Sequence, residues 1–155
     1  MGDEGIGVHM AQELAAAQPA WEIDVVDGGT GGFHLLEYFE SYETVILADA
    51  TLDANPPGTI RLIQPQFASD FPQAMSTHDI GLKDLVSALQ LLGKMPVIYL
   101  YVVSISSLQQ QGLGLTPQIQ QILPVLRDTI RQLVAGLLYP FAVSKPITSS
   151  HLLDL

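Results

Sequence analysis

Apolar positions along this chain switch between a helical and a strand period. Ile6, Met10 and Leu14 stand at i, i+4 and i+8, the stripe of an amphipathic helix from Glu4 to about Ala17, which Pro19 stops. Glu22 to Val26 reads as a short strand. The following Asp27-Gly28-Gly29-Thr30-Gly31-Gly32 is too rich in glycine for regular structure. Phe33 to about Phe39 reads as a short helix, and Thr44 to Ala50 as a buried strand of β-branched residues and leucine. Asn55-Pro56-Pro57-Gly58 is a turn, and Thr59 to Ile63 the next strand. A parallel crossover needs about a dozen residues or more, so these two strands are expected to be antiparallel neighbours.

Gln64 to Thr77 reads as loop. Asp79 or Ile80 to about Leu92 is predicted helical, with Leu82, Leu85, Val86 and Leu89 toward the core. Val97 to Val103 is a strand, and Ser104 to Leu115 a second loop. Thr116 and Pro117 open the last helix, as N-cap and first helical residue. Its apolar stripe runs from Ile119 through Leu137, to about Tyr139, and Pro124 inside it should kink or split it. Residues 140–155 read as an irregular tail of a single domain, 1–155. Helices alternate with strands, which predicts an α/β class: three layers, α/β/α, around a mostly parallel twisted sheet with one antiparallel strand. Domains of that kind usually open on a buried strand, whereas this chain opens on a helix.

Composition narrows the picture. Of 155 residues, 48% are apolar and 14% charged, the opposite of a disordered chain. No apolar run approaches the roughly 18 residues of a membrane span, so no membrane insertion is expected. The acidic N-terminus carries no signal-peptide pattern, which makes a cytoplasmic location the expectation. There is no cysteine, which excludes disulfides, thiolate metal sites and a cysteine nucleophile. The net charge is -10, no Lys or Arg precedes Arg61, and eleven of the sixteen acids do. Nucleic acid is therefore an unsuitable partner, because phosphate contacts need a basic face.

Three polar residues stand where predicted elements begin or end: Glu4 at the start of the first helix, Asp49 at the end of an apolar strand, and His78 before the third helix. In an open α/β sheet such points converge at the carboxyl ends of the strands. Two carboxylates and an imidazole form a mixed oxygen and nitrogen ligand set for a divalent transition metal. Glu4 has a second possible role, favouring its helix N-terminus. Asp27 either lets a substrate strand approach its glycines or accepts backbone N–H bonds in a tight turn. His9 and Glu13, at i and i+4, read as a solvated pair. Ser104, Ser106, Ser107 and Thr116 lack the Gly-x-Ser-x-Gly nucleophile elbow. The loop at Gly28 to Gly32 does not follow the glycine spacing of a nucleotide fingerprint.

Five segments, taken together, resemble the hydrogenase maturation endopeptidases. They are Asp3-Glu4-Gly5-Ile6-Gly7-Val8-His9, Asp27-Gly28-Gly29-Thr30-Gly31, Ala48-Asp49-Ala50, His78-Asp79-Ile80-Gly81-Leu82 with the helix that follows it, and Gly112-Leu113-Gly114-Leu115-Thr116-Pro117. They cover about Gly2 to Leu137 in the family's order. The family's opening hydrophobic strand and Gly-x-Gly-Asn turn have no counterpart here. The expectation is therefore a chain lacking its first strand, whose neighbours lose hydrogen-bond partners.

The resemblance implies a nickel-dependent endopeptidase that removes the C-terminal extension of a nickel–iron hydrogenase large-subunit precursor. Nickel would be supplied by that precursor and reached by Glu4, Asp49 and His78. Two routes to peptide hydrolysis stay open: a metal that directs water to the carbonyl, or a carboxylate, Asp49 or Asp27, acting as general base. A second reading keeps the same residues for binding alone, as a metal-sensing chaperone of the large subunit.

Overall fold

Among the described residues Val97–Ile105 is the most apolar strand, and the sheet is built around it. A computed structural model describes residues 5–16, 23–26, 35–72, 82–106 and 114–138. In chain order the elements are α1 (Ile6–Ala16), α2 (Leu36–Ser41), β1 (Thr44–Leu52), β2 (Ile60–Ile63), a 3-10 turn (Ala68–Asp70), α3 (Leu82–Leu92), β3 (Val97–Ile105) and α4 (Pro117–Leu138). The strand order is β1-β3-β2, with β1 parallel and β2 antiparallel to β3. The expected orientation of β2 holds, but its expected pairing with β1 does not. The intervening place is taken by β3, whose residues Ile98 and Leu100 to Ile105 are all buried. A strand that is apolar on both faces gains most at the centre. The other edge of β1 carries no strand among the described residues.

The faces of β3 divide the core. Tyr101, Val103 and Ile105 pack with the α1 residues Ile6, Met10 and Leu14 and the α4 residues Ile119, Leu126, Ile130 and Val134. Ile98, Leu100 and Val102 pack with Leu35, Phe39, Phe71 and the α3 residues Leu85, Val86 and Leu89. Strand alternation puts odd and even residues on opposite faces, so the sheet lies between two helical layers. The helical stripes read from the sequence are largely the buried ones, although Leu137, at the end of the α4 stripe, is exposed. Each fully buried aliphatic side chain contributes about 1.5–3 kcal/mol relative to exposure.

Two expectations are corrected. Residues 23–26, read as strand, lie outside the sheet; Ile23 and Val25 pack against the α1/α4 core, and the Tyr42 hydroxyl donates to Asp24. Helix α4 runs unbroken through Pro124, so the expected split does not occur. Pro124 is exposed, so the carbonyl left without its helical donor can meet water.

Helix α3 ends in a Schellman motif at Gly93, whose φ is +70°. Gly93 N–H donates to Gln90 O at 3.2 Å and Lys94 N–H to Leu89 O at 3.0 Å. Only residues 93–96 separate α3 from β3, so the helix runs back antiparallel to that strand. Eleven residues rise about 16 Å, the length of roughly five strand residues. The first turn of α3 therefore lies level with Val102, toward the carboxyl ends of β1 and β3.

Candidate active site

On the α2/α3 face the sheet changes character toward its carboxyl end. Val45, Leu47, Ile98, Leu100 and Val102 are apolar and belong to the core there. The next residues on that face are Asp49 and Thr51 of β1 and Ser104 of β3, all buried; Asp49 is 5% exposed. Register makes them neighbours: Asp49 pairs with Val102 and Thr51 with Ser104. On the other side of β3, Arg61 also pairs with Val102. Asp49, Val102 and Arg61 thus form one row on one face. Two strand spacings, about 10 Å, separate the outer pair.

The connection between β1 and β2 completes this polar end. Asp53 accepts the Asn55 backbone N–H at 3.0 Å, an Asx turn, and the Asn55 side-chain amide at 3.1 Å. Pro56 to Thr59 make a turn closed by Thr59 N–H to Pro56 O at 3.1 Å, with Gly58 at φ +91°. Proline second and a positive-φ glycine third are the pattern of a type II turn. The turn is pinned to β3: Gly58 N–H donates to Ser104 O at 2.8 Å, and Ser104 N–H to Thr59 O at 2.9 Å.

That anchoring brings Arg61 to Asp53, with Nη2 3.0 Å from Oδ2. Burial alone would raise the Asp53 carboxyl; its hydrogen bonds from Asn55 and the nearby Arg61 guanidinium outweigh that and hold it below the usual carboxylate range.

Helix α1 approaches the same end from the opposite face. Gly7, in its first turn, packs directly on the backbone of Ala48 and Asp49. A shallow cleft lined by residues 39–43 and 94–97 opens at the amino ends of the strands, away from Asp49.

Of the residues singled out from the sequence, Asp49 is described and buried; β1 runs on to Leu52, so Asp49 sits three residues inside the strand rather than at its expected end. Glu4, Asp27 and His78 lie outside the described residues. His9 is exposed on α1, and Glu13 is partly buried. Thr51, Asp53, Arg61 and the strand position of Ser104 were missed. Alternation from Asp49 would have reached Thr51, and Asp53-x-Asn55 is an Asx-turn pattern. Ser104, expected in a loop, belongs to β3, which extends two residues beyond its expected end.

A family model described as hydrogenase maturation protease matches residues 8–132. The chain belongs to the hydrogenase maturation protease family. The hydrogenase 2 maturation protease of Escherichia coli is 31% identical over 139 residues, covering 87% of this chain and 82% of its own. The hydrogenase expression/formation protein HupD of Bradyrhizobium diazoefficiens is 32% identical over 128 residues, covering 79% of this chain and 66% of its own. Among solved structures, the hydrogenase maturating endopeptidase HybD from E. coli superposes with a TM-score of 0.75 at 30% identity. It covers 91% of this chain and 87% of its own. The fold of this maturation protease is thus the mixed α/β sheet of HybD, and the protein is an endopeptidase. No helix among the described residues is long and apolar enough to cross a membrane.

Proposed function

We propose that this protein removes the C-terminal extension of a nickel–iron hydrogenase large-subunit precursor after nickel has been inserted. The observation that carries this reading is a buried carboxylate, Asp49, at the polar carboxyl end of the sheet in a member of the maturation protease family. A strand end facing a helix start is where α/β sheets take ligands.

Two features support Glu4 and His78 as companions of Asp49. Glu4 precedes α1 by two positions, and the first turn of α1 is packed on Ala48 and Asp49. His78 precedes α3 by four positions, and α3 starts level with Val102, the pairing partner of Asp49. Glu4, Asp49 and His78 form the oxygen and nitrogen donor set that meets the nickel carried by the precursor, which arrives as part of the substrate. Recognition of the loaded metal then licenses the cut. Asp49 or Asp27 takes the proton of the attacking water.

The test is incubation of the protein with precursor prepared with and without nickel, followed by mass spectrometry of the large subunit. Loss of the C-terminal extension only from the nickel-loaded form is the expected result. Equal cleavage of both forms would reject nickel recognition. Binding to the loaded form without cleavage would favour a metal-sensing chaperone instead.

A further inference from the structure

We infer that Arg61 is a substrate-contacting residue of this protease, holding the carbonyl oxygen of the bond that is cut. The inference rests on the protease reading above. Its observations are the row Asp49–Val102–Arg61 on one face of the sheet and the state of the guanidinium. Val102 is fully buried between the two charged residues, so their side chains flank one strand at its polar end.

Three properties set Arg61 apart. It is the first cation of the chain, after eleven acids. It is fixed by a structure that costs it only one of its donors: Nη2 meets Asp53, itself held by Asn55. Its side chain remains 42% exposed, while its Nε is buried with no hydrogen-bond partner among the described residues. A guanidinium held at one corner by an ion pair and still partly exposed is pre-organised to receive an oxygen. A residue placed only for an ion pair on the surface would contribute little.

The chemistry follows from the row. Water adds to the carbonyl carbon, and the π electron pair moves onto the carbonyl oxygen, where Arg61 donates to the developing negative charge. The water proton passes to Asp49, the carboxylate of the row. It is then delivered to the amide nitrogen as the C–N bond breaks, giving a carboxylic acid and an amine. Asp53 takes no part in this transfer; it positions the guanidinium.

The experiment is steady-state processing of nickel-loaded large-subunit precursor by the full chain and by Arg61→Gln and Arg61→Lys. Melting temperatures are measured on the same samples. Loss of one oxyanion donor typically lowers kcat by about a hundredfold or more, so Arg61→Gln should fall by roughly that factor with KM changed less than about threefold. Arg61→Lys keeps the charge beside Asp53 but not the planar fork; it should keep the melting temperature and lose about tenfold in kcat. If Arg61→Gln fails to fold, the lysine variant decides alone. A kcat within about twofold of the unsubstituted chain in the folded variants would overturn the inference, as would a loss confined to KM. Absence of processing by the unsubstituted chain would overturn the protease reading and this inference with it.

Discussion

A side chain on Gly7 would drive its Cβ into the carbonyl oxygen of Ala48. The close approach joins the first turn of α1 to the strand position just before Asp49. It also places the helix start that follows Glu4 at the buried carboxylate. The clash is with backbone, which cannot swing aside as a flexible side chain can.

Gly7→Ala should therefore push α1 away from β1. Overpacking of this kind costs about 1–3 kcal/mol. Gly136, in α4, has open space where a Cβ would be, and its residue is exposed. Gly136→Ala should stabilise by about 0.5–1 kcal/mol through helix propensity. Urea unfolding of both variants checks the pair. Equal shifts of the two midpoints would count against a specific contact at Gly7. Processing should drop in Gly7→Ala and stay unchanged in Gly136→Ala.

Tyr101 gives a second, independent test. It is fully buried in the α1/α4 core, and its hydroxyl has no hydrogen-bond partner among the described residues. Burial pushes its pKa up to about 12. The ordinary tyrosine value near 10 applies to the unfolded chain. The stability tied to the neutral hydroxyl is thus complete below about pH 10 and is lost as pH rises toward about 12. Tyr101→Phe removes an unsatisfied polar group, so it should be neutral or stabilising by about 1 kcal/mol at pH 7. It should also flatten the alkaline fall in melting temperature. A clear loss of stability at neutral pH would show that the hydroxyl has a partner.

Asp53 sets the acid side. Its carboxyl is held below the usual range, so its contribution is present above the ordinary aspartate value near 4 and is lost as pH falls through the lower folded value. Asp53→Asn should remove that part of the acid-induced loss of stability and lower stability modestly at pH 7. Because Arg61 is partly exposed, the neutral-pH effect should shrink in high salt. Melting temperatures between pH 2 and 7 on both proteins, at low and high salt, check this.

Much of the fold was legible because burial follows period. Ile6, Met10 and Leu14 had one helical reading, and Leu85, Val86 and Leu89 another. Strand order was not legible. A seven-residue connection between β1 and β2 fixes their opposite directions but not which strand lies between them. That is decided by β3, which pairs with both. Residues 23–26 show the reverse failure. Their β-branched alternation is a strand pattern, yet residues 23–26 form no strand of the sheet and serve the α1/α4 core instead. At the site, Asp49 stood out as an acid at the end of an apolar run. Arg61 did not, because its relation to Asp49 runs through a third strand. No spacing along the chain encodes that row.

The remaining prediction separates the histidines. His78→Ala should abolish processing of nickel-loaded precursor while leaving the melting temperature nearly unchanged. His78 supplies the nitrogen donor of the proposed set, and an imidazole suits nickel where carboxylates alone suit harder ions. His9 lies on the exposed side of α1, so His9→Ala should process normally. His34 belongs to no proposed set, and His34→Ala should do the same. Asp49→Asn, which keeps the side-chain size but removes the charge, should match the loss in His78→Ala. The readout is the electrophoretic shift of the large subunit, with circular dichroism on each variant. Full processing by His78→Ala would reject metal recognition through this residue. Loss in the His9 and His34 variants as well would point to general destabilisation, which the dichroism spectra would then show.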